Sequence, residues 1–214
     1  SSFAFGAGNV NHILGKYTPT DREFVLELDY GEVKINVFDQ NLSQWHTAGS
    51  GYSINLNEWV SIVATYNKNS NPSLKLYLDG VLVGTNNSYH NSINITNQPI
   101  RISDSFYPFD GMIDNVYIFD RALDINEIQE SINCPLIGNE SGLVGYWNFE
   151  LPSQAYSNAW GGVNVSLDAS GTNCQQQIGG FMCSGNGNNA IIYGATYSTN
   201  SPSSSCQLTN TSGC

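Results

Sequence analysis

An all-β fold, an antiparallel sandwich, is the class this chain predicts, on three observations. Short runs of alternating apolar and polar residues recur through residues 1–120, turn signals separate them, and a single short helix is all that a 3.6-residue period supports. The alternation is cleanest in residues 24–29, where Phe24, Leu26 and Leu28 share a face, and in residues 33–37. Asp29-Tyr30-Gly31 turns between these two runs, so they make a hairpin. Residues 59–66 are apolar at most positions, which predicts a central strand covered on both faces. Leu74, Leu76 and Leu78 alternate with Lys75, Tyr77 and Asp79, and Asp79-Gly80 is a strong signal for a tight turn into Val81-Leu82-Val83. Residues 99–102 and 112–119 supply two further strands. Asp124 is expected to cap the helix, with Glu127 reaching back to its amide and Ile125 and Ile128 as the apolar stripe. Beyond Cys134-Pro135 and a Gly/Asn/Glu link over 136–142, residues 143–149 read as a strand. A loop-rich stretch runs to Cys183, a last strand lies near residues 190–193, and the tail from Ser198 has the composition of a linker.

The 214 residues carry a formal net charge of −11 with 12% charged residues, about half the usual quarter, and draw their polarity instead from 27 Asn and 25 Ser. Such a surface is typical of secreted proteins, so an extracellular setting is expected. With 7 Lys+Arg against 18 Asp+Glu there is no basic stripe for phosphates, which argues against nucleic acid and anionic membrane as partners. An acidic chain attracts cations or neutral ligands. No run approaches 18 apolar residues and Ser1-Ser2-Phe3 is no signal peptide, so no membrane span is expected and the chain reads as a mature or excised segment. Cys134, Cys174, Cys183, Cys206 and Cys214 show no CxxC spacing, which argues against zinc. Cys174 and Cys183 bracket QQQIGGFM and are expected to staple a hairpin. Cys206 then pairs with Cys134 or Cys214, Cys134 being preferred because it ties the tail to the first segment; one thiol is left over.

The run NEWVSIVATYNKNSNPSLKLYLDGVLVG followed by PFDGMIDNVYIFDRALDINEI resembles the laminin-G-like branch of the concanavalin A-like jelly rolls, across about residues 10–130. In that family a Trp-bearing strand, a Leu-alternating hairpin, a G-x-I-D-x-V strand and a helical turn of the "RAL…EI" type recur in this order. GLVGYWNFE (142–150) and SGNGNNAIIYGATYS (184–198) resemble the family's opening strand and the loop and strand that follow it. Here those opening elements come last. Either the segment ends inside a second repeat, or the C-terminal piece folds back to supply the missing strands, as in a circular permutation. The second reading is preferred, because some 75 residues bury little core alone. It divides the chain into a core at 1–134, a complementing segment at 135–198 and a tail at 199–214, and it places 143–149 beside 112–119. A third version donates that strand to a neighbouring copy. NCPLIGNESGLVGYWNFE and SCQLTNTSGC also resemble linkers of long repetitive surface proteins of marine Bacteroidota, gliding-type adhesins among them.

Sandwich hydrolases of this kind carry paired carboxylates as E-x-D-x-x-E on one strand face, and that motif is absent. Glu23, Glu27 and Asp29 are expected to be solvated strand residues. His12, His46 and His90 stand isolated, with no nucleophile motif beside them, so no enzyme is expected. The resemblance implies a structural calcium where a Gly/Asn loop meets the I-D-x-V strand, with Asp114, Glu150, Asn186 and Asn188 as ligands. Glycans would be met by loop aromatics and their polar neighbours: Trp45 with His46, Tyr52, Phe106 with Tyr107, and Trp160. Trp59, Trp147 and Phe149 are expected in the core. Asn41, Asn86, Asn94 and Asn164 head N-x-S/T triplets, several of which chance alone supplies in so Asn-rich a chain. The implied function is a non-catalytic extracellular adhesion or glycan-binding module of a larger surface protein. The competing expectation is a structural spacer or filament subunit that assembles with its own copies.

Overall fold

A computed structural model describes residues 10–89, 91–134, 136 and 138–147, and the backbone alone of 164–166, 174–177, 180–183 and 190–192. Strands β1 (Val10–Tyr17), β2 (Arg22–Asp29), β3 (Glu32–Asp39) and β4 (Gln44–Ser53) form a continuous antiparallel meander. The β2–β3 turn puts Tyr30 at φ 52° and Gly31 at φ 84°, a pair of positive values whose twist matches that of the strands. Strands β5 (Ile62–Tyr66), β6 (Leu74–Leu78) and β7 (Val81–Asn86) form a second antiparallel sheet, β6 central. Its β6–β7 turn uses Asp79 and Gly80 at φ 48° and 75°.

The two sheets face each other. Leu26, Leu28, Val33, Ile35, Val37 and Ala48 from one meet Leu74, Leu76 and Leu78 from the other, and Tyr89 closes the cluster. Every one of these is buried, and each large aliphatic removed from water contributes about 1.5–3 kcal/mol. At one edge β4 comes against β7: an added Cβ on Gly84 would lie 2.2 Å from the Gly49 carbonyl oxygen, and Asn86 Nδ2 donates to the Thr47 carbonyl at 2.8 Å.

The larger sheet extends past β1 through β8 (Arg101–Ile102). The backbone of β14 (Ala190–Ile192) runs parallel to β8, and β11 (Asn164–Ser166) runs antiparallel to β14. Separately, β10 (Leu143–Trp147) pairs antiparallel with β9 (Val116–Phe119), Tyr146 opposite Tyr117 and Trp147 opposite Val116. Trp147 is fully buried against Ile102 and Val116 in a second apolar cluster. The backbone of β12 (Cys174–Gln177) pairs with β13 (Gly180–Cys183), with Cys174 opposite Cys183.

Several expectations need correction. The strand at residues 59–66 starts only at Ile62, and it lies at an edge of its sheet. Trp59, 38% exposed, is outside it; a turn through Asn57 at φ 62° precedes, and the Ser61 amide is held by the Asp79 carboxylate. The strand at 112–119 is likewise shortened, because the Asn115 amide turns back to Asp114 Oδ1 and Asn115 adopts φ 50°. In helix α1 (Ile125–Asn133) the Asp124 and Glu127 capping box is present, but Ile125 is 42% exposed. The helix is seated by Ile128, fully buried, and by Ile132, which lies over the Gly80 turn. Phe149 lies outside the described residues.

Candidate functional site

The face of β1–β4 turned away from the core is polar, and its side chains are wired together. Strand alternation that sends Leu26, Leu28, Ile35, Val37 and Ala48 inward sends Glu27, Asn36 and Thr47 outward. His12 is opposite Glu27 in the β1–β2 ladder, next to a bulge at Ile13. A continuous chain of polar contacts results. Asp104 Oδ2 meets His12 Nδ1 at 2.5 Å, and His12 Nε2 lies 3.4 Å from Glu27 Oε2. Asn36 Nδ2 donates to Glu27 Oε1 at 2.8 Å, and Thr47 Oγ1 donates to Asn36 Oδ1 at 2.5 Å. Four strands and one loop are thus linked from Asp104 to Thr47.

The loop end of this chain is well anchored. Asp104 Oδ1 accepts the amides of Phe106 and Tyr107 at 2.7 and 2.8 Å. The His12 amide donates to the Tyr107 carbonyl at 2.7 Å, and Asn11 Nδ2 donates to that of Pro108 at 2.8 Å. Burial opposes a charge on His12, but its hydrogen bonds to Asp104 and Glu27 outweigh that, and the imidazole is held above its ordinary value of 6.5. Burial likewise opposes the Asp104 carboxylate, yet His12 and the two loop amides hold its carboxyl below 3.8. An imidazolium between two carboxylates is the state this geometry stabilises.

Rings frame the polar chain. His12 packs edge-on to Tyr17 at 4.9 Å and beside Tyr107 at 4.7 Å between centroids. Tyr17 is 6.2 Å from Trp45, and Trp45 is 5.0 Å from Phe38, over which Arg22 lies. Tyr17, Trp45 and Tyr107 remain half-buried, so part of each ring meets solvent beside Glu27, Asn36 and Thr47. Burial first, then the nearby phenol of Tyr107, pushes the Tyr17 hydroxyl up, so it stays a neutral donor.

Of the glycan candidates, Trp45 and Tyr107 come to one framework, linked through Tyr17 and His12, with exposed Phe106 next to Tyr107. His46 does not join them: it faces the core side, stacked on Tyr89 at 4.5 Å. Tyr52 is exposed at the far end of β4, and Trp160 lies outside the described residues. His12 and His46 are therefore not isolated, each lying near the start of a strand with polar and ring partners; His90 lies outside the described residues. The carboxylates expected to be solvated are not uniformly so. Glu27 belongs to the polar chain, and Glu23, buried, accepts from Thr96 N at 2.9 Å and pairs with Lys16 at 2.9 Å, Glu23 being the extra β2 residue where the β1–β2 register shifts between Lys16 and Tyr17. Asp29 stays half-exposed beside Lys34. Of the proposed calcium ligands Asp114 is described, its Oδ1 already accepting the Asn115 amide at 3.0 Å; Glu150, Asn186 and Asn188 lie outside the described residues. Among the described residues no three His, Cys, Asp or Glu side chains gather as a metal site. Cys206 and Cys214 also lie outside them, and Cys134 caps the end of α1. Tyr17, Asn36, Thr47 and Asp104 went unseen in the sequence, and His12 was weighed there only as a catalytic residue and set aside.

Residues 6–129 match the family model described as the concanavalin A-like lectin/glucanases superfamily, more than half of the chain. The chain belongs to that superfamily. No curated protein matches it. Among solved structures, an S-layer domain-containing protein from Clostridium thermocellum is 23% identical, with a TM-score of 0.26. The match covers 55% of this chain and 63% of that one, so this chain spans less than two thirds of that structure's length. The superfamily's name embraces both lectins and glucanases, and the chemistry of the outer face has to choose between them.

Proposed function

We propose that the chain is a non-catalytic, extracellular carbohydrate-binding module serving adhesion, and that it holds glycan on the outer face of β1–β4. The observation that carries this reading is the hydrogen-bonded line from Asp104 to Thr47 bordered by Tyr17, Trp45 and Tyr107. Sugars are bound by ring faces that cover their C–H patches and by fixed polar groups that meet their hydroxyls. Here the polar groups are fixed before any ligand arrives, since each is hydrogen-bonded or ion-paired to the next.

The same geometry argues against glycoside hydrolysis. A glycosidase acid needs a raised pKa, whereas Asp104 is held below its ordinary range, and the Glu27 carboxylate is occupied by His12 and Asn36. Neutral glycans suit a chain of net charge −11 better than uronate or sulfated ones. No helix among the described residues is long and apolar enough to cross a membrane. Calcium would take Asp114 with Glu150, Asn186 and Asn188, the ligands the family resemblance implies. The spacer or filament reading draws its motive from strand donation, and β10 already has its partner, β9, within its own chain.

The test is affinity electrophoresis of the whole chain through gels containing β-glucan, α-glucan, mannan or xylan, in calcium and again in EDTA. Retardation by at least one polysaccharide is expected. Unretarded migration in every gel under both conditions sinks the reading; loss of retardation in EDTA would add calcium as its support.

A further inference from the structure

One end of the sandwich collects large apolar side chains in the open. The β2–β3 turn, the end of β4, the segment leading into β5, the β6–β7 turn and the last turn of α1 all reach it. Ser53 Oγ donates to the Tyr30 carbonyl at 3.0 Å and the Ile54 amide to that of Gly31 at 3.0 Å, which seats the β2–β3 turn on the end of β4. Gly84 lies against Gly49 and Asn86 against Thr47, so β7 runs antiparallel past β4 and starts, at Val81 and Leu82, toward the Tyr52 end. Ser61 is bonded to Asp79 through both its amide and its carbonyl, which carries Trp59 to the β6–β7 turn, and Ile132 lies over Gly80 in that turn.

Tyr30, Tyr52, Trp59, Val81, Leu82 and Ile132 are half of the twelve large apolar side chains exposed among the described residues, so the exposure is gathered rather than scattered. Tyr30 and Val81 are 68% and 63% exposed. With whole aromatic side chains covering roughly 150–250 Å² each, the six leave on the order of 600 Å² in water. That is the upper limit of what a lone soluble domain shows, about 300–600 Å². With its polar border added, the end approaches the roughly 800 Å² that each partner brings to a standard interface. Two tyrosines, a tryptophan and three aliphatics, with no charge among them, also have the make-up of an interface centre.

The border decides the occupant. Asp29 and Glu32 hold Lys34 at 2.8 and 3.3 Å, Glu32 also accepts the Gly51 amide, Glu58 accepts from Asn55, and Asp79 accepts the Ser61 amide. A basic partner would find these counter-charges already engaged within the chain. Nucleic acid and anionic membrane are repelled by the net charge of −11. A second copy brings an equal area, the same rings and the same tethered border, which suits a self-complementary, two-fold contact.

We propose that this end is a self-association surface, where two copies pair about a two-fold axis and bury these six side chains against one another without exchanging a strand. Trp45 stands at the other end of β4, roughly 20 Å away at about 3.3 Å per residue, so pairing leaves the outer face open. The proposal does not rest on what that face binds. Copies of net charge −11 repel one another, so an apolar contact between them tightens as salt screens the repulsion.

The test is sedimentation velocity of the whole chain, its free thiols first blocked with iodoacetamide, over about 1 μM to 1 mM protein. It is run at about 50 mM and again at about 500 mM salt. A reversible monomer–dimer equilibrium is expected, tighter at the higher salt. Leu82→Glu should weaken it about tenfold or more and Tyr52→Ser several-fold. Y52S decides the matter if L82E fails to fold. Leu42→Ser, which changes an exposed apolar residue in the turn after β3 at the opposite end, should leave pairing unchanged. Monomer at every concentration in both salts overturns the proposal. So does association that salt weakens, that grows past the dimer, that L82E and Y52S leave as it was, or that L42S weakens as much.

Discussion

Both nitrogens of His12 face carboxylates, Asp104 from the loop before Tyr107 and Glu27 from β2, and the ring is itself nearly buried. Removing the cation from such a set leaves two acids close together out of water. Substituting His12→Gln should therefore destabilise the fold by roughly 3–5 kcal/mol in urea titration at neutral pH. The pH dependence follows from the directions of the two shifts. His12, raised, contributes stability that is full below 6.5 and lost as pH climbs through its folded value. Asp104, lowered, contributes stability that is present above 3.8 and lost as pH falls through its own. Stability from this pair should peak between those two ordinary values and fall on either side. H12Q should flatten the alkaline limb, and an unchanged alkaline limb in H12Q would contradict the assignment. None of this was legible in the sequence. His12 and Asp104 are 92 residues apart, and only the folded pairing of β1 with β8 brings the loop after Ser103 onto the sheet.

Elements were legible in proportion to how local their determinants are. The hairpins at Tyr30-Gly31 and Asp79-Gly80 and the Asp124 cap are written in neighbouring residues, and the structure has all three. β4, QWHTAGSGYS, was invisible because its inward side includes His46, Ala48 and Ser50, too small or polar to show as an apolar stripe. The close approach of β4 to β7 is made by Gly84, whose missing Cβ leaves room for the Gly49 backbone. Gly84→Ala would put a methyl 2.2 Å from a backbone oxygen that cannot give way, and a loss of about 1–3 kcal/mol is expected in denaturant midpoint. The Cys174–Cys183 staple is testable on its own terms. Directly opposed residues of an antiparallel pair have Cα atoms about 4.5–5.5 Å apart, inside the span a disulfide bridges. Peptide mapping of the non-reduced protein should recover these two cysteines in one linked fragment, and their recovery as separate thiols would count against the staple.

At the scale of the molecule, the pairing of β10 with β9 and of β14 with β8 brings the C-terminal segment onto sheets whose other strands come from residues 10–119. These pairings support the proposal that a complementing segment, rather than a separate domain, follows Cys134. Trp147 carries much of its packing, fully buried against Val116 and Ile102. Trp147→Ala should cost about 3–5 kcal/mol and should lower the stability of the residue 10–119 sheets, not merely free the tail. Hydrogen exchange in β8 and β9 is the readout, and protection there unchanged by the substitution would mean the tail is a separate unit. The outer face depends on that frame, since β8 positions the loop that presents Asp104 and Tyr107. The central claim is that this face takes glycan, and the measurement that tests it most directly is a glycan array probed in parallel with the wild-type chain and with Trp45→Ala. Saturable wild-type binding to neutral glycans, weakened about tenfold or more in W45A at an unchanged melting temperature, is the predicted result. Equal binding by the two proteins, or silence from both, would contradict it.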